Sequence, residues 1–135
     1  MREKLFFLVV GCFYLLFVSG CAEDEAVLRL RAENKLNLLH LTKGMTKKEV
    51  LLLMGEKNVY LGTDKNATVV GNPYKIKMIK TNDHEYEVLY YYTDRDQKDW
   101  PFKKFTIYDH ELTPLIFENG SLVGWGDSYL QSLTK

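Results

Sequence analysis

Apolar positions change rhythm several times along this chain, and each change marks an element. Leu5–Val18 is an unbroken uncharged run of 14 residues. Over Glu25–His40 the spacing becomes helical. Leu28, Ala32, Leu36 and Leu39 recur three and four apart, with Arg29, Arg31, Glu33, Asn34 and Lys35 largely on the other side. This predicts a helix with the leucine stripe as its apolar face. The next stretch, Gly44–Gly55, reads GMTKKEVLLLMG. Thr46 and Glu49 form a T-x-x-E capping box, and Met45 and Val50 can form the hydrophobic staple across it. Gly55 suits a positive-φ helix stop. A helix this short and this apolar is unstable alone, so the rest of the chain must cover it.

After Gly55 the period shortens to two. Asn58–Gly62 and Ala67–Val70 are short β-type runs broken by 62–66 and by Gly71-Asn72-Pro73. Tyr74–Lys80 alternates, with Tyr74, Ile76 and Met78 on one face. Thr81–His84 reads as a turn, and Tyr86–Thr93 returns from it. Tyr86, Val88, Tyr90 and Tyr92 share one face of this strand, and Leu89 and Tyr91 the other. Apolar bulk on both faces predicts a central strand. Asp94–Lys104 is a polar loop interrupted by Trp100-Pro101-Phe102, and Phe105–Tyr108 is a short strand or part of the loop's return. Leu112–Glu118 and Ser121–Trp125 flank Asn119-Gly120, the strongest hairpin signal in the chain. Gly124 and Gly126 beside Trp125 allow a bend or a close backbone approach. Asp127 is placed to cap a last short helix, Ser128–Leu133. The expected fold is α+β: two N-terminal helices on one face of a three- to four-stranded antiparallel sheet.

The N-terminus adds a location. Arg2 and Lys4 precede the Leu5–Val18 run, which has the length of a signal-peptide core and is short for a membrane span. Val18-Ser19-Gly20-Cys21 follows: a branched aliphatic residue, two small residues and a cysteine. It resembles the lipobox of bacterial lipoproteins, cut before the cysteine, whose thiol then carries a diacylglycerol. Small residues let the backbone enter the peptidase, and the thiol is needed for the thioether. Cleavage would fall between Gly20 and Cys21, with lipid attached at Cys21. An uncleaved anchor helix and an ordinary secretory signal are the alternatives; a cysteine directly after small residues at the end of the run favours lipidation. The chain then divides into a signal peptide (1–20), a lipidated tether (21–25) and one α+β domain (26–135). The residue after the cysteine is Ala22, so the aspartate of the inner-membrane retention signal known in enteric bacteria is missing. That points to the outer membrane, facing the periplasm, with the inner membrane and the cell surface as the alternatives.

Composition narrows the function. The two cysteines are Cys12 and Cys21, so no disulfide and no cysteine metal site remains once the leader is cut. The 18 basic and 18 acidic residues balance, and without Arg2, Glu3 and Lys4 the net charge is −1, which argues against nucleic acid. His40, His84 and His110 show no metal-ligand spacing. Asp109-His110-Glu111 fits the cap of a strand or a solvated turn better than a catalytic group. No enzyme, cofactor or metal is expected. Aromatic residues are the stronger lead. Trp100, Phe102, Phe105 and Tyr91, rimmed by Lys98, Lys103 and Lys104, form a candidate partner surface. The alternative is a loop folded back into a second small core.

GMTKKEVLLLMG after a short helix, and a sheet ending in PLIFENGSLVGWG, stand behind the lipobox-like segment. Together these motifs resemble the SmpA/OmlA (BamE-like) lipoprotein domain. With NPYKIKM and EVLYYYT they resemble still more a family of uncharacterised small lipoproteins related to it. The resemblance covers roughly Leu36–Gly126. It implies a two-helix, three-strand periplasmic domain and an accessory role in assembling outer-membrane proteins. The expectation is therefore a non-catalytic envelope lipoprotein with a protein partner. An inhibitor-like or ligand-binding lipoprotein is the second reading.

Overall fold

The structure, a computed structural model, describes residues 25–61, 67–81, 83–95 and 106–134. Helix α1 spans Glu25–Asn37 and continues as a 3-10 turn, Leu38–His40. Helix α2 spans Lys47–Met54. Six strands follow: β1 (Lys57–Leu61), β2 (Thr68–Asn72), β3 (Lys75–Lys80), β4 (Glu85–Tyr92), β5 (Leu112–Glu118) and β6 (Ser121–Trp125). Helix α3, Asp127–Leu133, closes the described chain.

The strands form two antiparallel sheets, a pair β1-β2 and a four-stranded meander β3-β4-β5-β6. The expectation of one sheet with helices on one face is corrected in both respects. The two short β-type runs pair with each other, Val59 opposite Val70 and Tyr60 opposite Val69, and do not join the main sheet. The main sheet is covered on both faces. On one, Leu89, Tyr91, Leu115, Phe117 and Leu122 pack with Val50 and Met54 of α2. On the other, Tyr86, Val88 and Ile116 pack with Tyr129, Leu130 and Leu133 of α3. Central strands buried on both faces need apolar side chains at nearly every position, as β4 and β5 have. A third cluster joins Val27 and Leu30 of α1 to Leu61 and Val70 of the small sheet and to Tyr92, Ile107 and Leu112.

Helix α2 starts as its sequence predicts. Thr46 Oγ1 accepts from Glu49 N at 3.3 Å, and Glu49 Oε2 accepts from Thr46 N at 2.8 Å. The same start is tied to the β5–β6 hairpin. Gly44 N donates to Leu122 O and Leu122 N to Met45 O, each at 2.8 Å; Lys47 N donates to Gly120 O at 2.9 Å. The Gly44–Lys47 segment thus runs along β6 and covers that sheet edge. The hairpin itself has positive φ at both Asn119 (51°) and Gly120 (78°), the conformation that favours Asn-Gly there. A bulge between Ile116 and Phe117 shifts the β5–β6 register. Gly124 is the close approach: a Cβ there would lie 2.5 Å from Tyr129 Cε1, so the α3 tyrosine ring rests on bare backbone. Asp127 lies in the first turn of α3, and Gly126, with no side-chain cap, is the residue before it. Phe105 lies outside the described residues; 106–108 are not a strand, although Ile107 is buried.

Helix α1 presents the opposite face to that expected. Val27, Leu30 and Asn34 are buried, while Leu28, Leu36 and Leu39 are 45%, 62% and 79% exposed and Ala32 is exposed. At 3.6 residues per turn, Leu28, Ala32 and Leu36 fall within an arc of about 80°, nearly opposite Val27, Leu30 and Asn34. The helix is apolar on two sides. The more regular stripe faces solvent, and the buried one includes Asn34, whose amide is satisfied by Asn72 Oδ1 and Tyr92 O.

Candidate functional site

The residues proposed to carry function fall into three groups. Gly20 and Cys21 lie outside the described residues, as do Trp100, Phe102 and Phe105. Tyr91 is described, and it is not a surface residue. Its exposure is 0%, inside the cluster under α2. Tyr91 shares a strand face with Leu89, and that face is the one α2 covers. Its hydroxyl is buried without a hydrogen-bond partner among the described residues. Burial first, and the charge of Glu56 second, push its pKa well above the ordinary tyrosine range. Tyr91 is removed from the candidate partner surface.

Polar side chains at the other suspected positions, His40 apart, are engaged in the fold. His84 Nδ1 lies 2.5 Å from Glu118 Oε1, and its ring stacks on Tyr86. His110 stacks on Tyr108 with ring centroids 5.7 Å apart. Asp109 pairs with Lys75, whose hydrogen bond and charge lower the carboxylate's pKa. Glu111 is buried, and its Oε2 accepts from Tyr108 N at 2.8 Å, closing the 3-10 turn that leads into β5. His40 is exposed at the end of the first 3-10 turn. Among the described residues no three His, Cys, Asp or Glu side chains are grouped to hold a metal ion.

One buried polar group was not anticipated. Asn34 Nδ2 donates to Asn72 Oδ1 and to Tyr92 O, both at 2.9 Å. Asn72 Nδ2 donates to Met54 O at 3.0 Å and Gly55 O at 3.2 Å. Two amides therefore join α1, the end of α2, β2 and the end of β4. They satisfy carbonyls that a helix end and a strand end would otherwise bury unpaired. Amides so placed hold structure and offer no nucleophile or proton donor to a substrate.

What the described surface offers is apolar area. The outer stripe of α1 is one patch. Ile76 and Met78 on edge strand β3 are a second, and the cross-strand pair Tyr60 and Val69 a third. A shallow groove of about 460 Å³ lies between the start of α1 and β1, lined by Glu25, Ala26, Arg29, Leu30, Lys57 and Val59. On the β3–β4 face Lys75 and Lys77 sit over the Tyr90 ring at 4.7 and 5.8 Å. The α1 stripe is visible in the sequence, where its regular spacing reads as the core face. The second apolar side, Val27 and Leu30, was the signal that could have reversed the assignment.

A family model described as protein of unknown function (DUF3192) matches residues 17–132. The chain belongs to the DUF3192 family. No curated protein and no solved structure matches it. The DUF3192 match takes in Val18-Ser19-Gly20-Cys21 together with every described element up to α3.

Proposed function

We propose that this DUF3192 chain is a non-catalytic lipoprotein, anchored through Cys21 at the outer membrane and facing the periplasm. There it serves as an accessory or scaffold protein in the assembly or maintenance of the cell envelope. The observation that carries the reading is Val18-Ser19-Gly20-Cys21 at the end of the Leu5–Val18 run, inside the family match. Two others support it. Asp109, Glu111, His84 and His110 are occupied in caps, pairs and stacks. Separate apolar patches on one small domain suit contact with other macromolecules better than turnover of a small substrate. Kinship with the SmpA/OmlA domain belongs to the same proposal, and an accessory role in outer-membrane protein assembly follows from it.

Crosslinking in intact cells, followed by purification of the protein in mild detergent, tests the scaffold role. The expected result is a specific envelope protein recovered at near-stoichiometric yield with the wild type. Recovery of the chain alone, with crosslinking shown to work on a known complex in the same cells, would contradict it.

A further inference from the structure

Among the described residues, none covers the outer face of α1. Leu28, Leu36 and Leu39 stand 45%, 62% and 79% exposed along about 16 Å of helix, with Ala32 exposed between them. The opposite side of the same helix is buried against the domain, so the stripe points outward. Only Ala22, Glu23 and Asp24 separate Cys21 from the first residue of α1. A chain of that length spans at most about 14 Å even when fully extended. If Cys21 carries the anchor, the start of α1 is held within that distance of the lipid.

We infer that the outer stripe of α1 is a membrane-contact face, and that the helix lies along the lipid surface with Leu28, Ala32, Leu36 and Leu39 in the headgroup–acyl boundary. This rests on the reading of Cys21 as the lipidated residue. A short tether fixes the partner: whatever surface holds Cys21 is the nearest one available to these leucines. An interfacial helix needs an apolar side turned to lipid and charges that tolerate it. Both acidic side chains of α1 are paired, Glu25 with Arg29 at 2.9 Å and Glu33 with Lys57 at 2.7 Å. Lys35 is exposed one residue from Leu36, where a cation can meet anionic headgroups. The anchored domain is thereby held in one orientation, with the main sheet attached behind α1 through Tyr92, whose carbonyl accepts from Asn34, and the small sheet through the Asn34–Asn72 bond.

The test uses the processed protein in vesicles of phosphatidylethanolamine and phosphatidylglycerol containing nitroxide-labelled lipid. A fluorophore is placed by Leu36→Cys in one sample and by Gln131→Cys, at an exposed position of α3, in another. Intact mass confirms acylation of both. The expected result is strong quenching at position 36, at least threefold that at 131. Equal, weak quenching at both positions in acylated protein overturns the membrane-contact face and leaves the anchor standing. A probe at 36 shielded from water but unquenched by lipid identifies a protein partner and overturns it as well. Absence of acyl mass overturns the anchor reading, and the contact face with it.

Discussion

Asn72 is 2% exposed, and its one amide serves three elements: it caps the last carbonyls of α2, accepts from Asn34 on α1, and belongs to β2. Removing it leaves two helix-end carbonyls and one N–H of the Asn34 amide short of partners in a buried place. Such orphaned groups cost about 1–3 kcal/mol. Asn72→Ala is therefore expected to lower the unfolding free energy by about 2 kcal/mol, read from urea denaturation. A loss below about 0.5 kcal/mol would show that water replaces the amide and that the bonds contribute little. None of this was legible in the sequence. Asn34 sits among charged residues on a helix, and Asn72 precedes Pro73 in what reads as a turn. Only the approach of α1 to the ends of α2 and β4 gives the two amides their partners. Tyr91 fails for a related reason. Its strand alternation was read correctly, but alternation says which residues share a face and not which face the helix covers.

Among the elements, the start of α2 was the most legible, because its cap is local. Thr46 and Glu49 need only three residues of spacing to find each other, and they do. The hairpin was equally local, since Asn-Gly carries its own backbone preference. What neither motif announced is that they bond to each other along Gly44–Lys47 and β6. The box also has a pH signature. The Thr46 backbone N–H first, and its hydroxyl second, hold the Glu49 carboxylate below its ordinary pKa. A folded pKa below the unfolded one makes the contribution complete above the unfolded value and lost as pH falls through the folded one. Glu49→Gln keeps an acceptor without the titration. The stability difference between wild type and Glu49→Gln is expected to be constant from about pH 7 to 5 and to shrink below about pH 4. A difference that stays level down to about pH 3 would contradict the assigned cause. Helix α1 shows where periodicity misleads. Two opposite apolar stripes satisfy the same 3.6-residue rule, and Asn34 made the buried one look polar.

At the scale of the molecule, the class was legible and the layering was not. Helices before an antiparallel sheet follow from the change of period. The separation of β1-β2 from the main sheet depends on pairings that short, β-branched runs do not specify. The cover of both sheet faces depends on Tyr129 finding Gly124. The molecule that results has the central strands of its main sheet covered on both faces, Ile76 and Met78 exposed on edge strand β3, and a leucine stripe left outside on α1. That helix begins four residues after Cys21. On the proposed reading of Cys21, anchor and stripe together would hold the domain flat on a membrane by its first helix and leave its other patches open to partners. The intact mass of the protein extracted from membranes tests the anchor most directly. The predicted result is the mass of residues 21–135 plus acyl lipid, with the added mass on Cys21 and absent from Cys21→Ser. A full-length chain, or one cut elsewhere and carrying no acyl group, would contradict it.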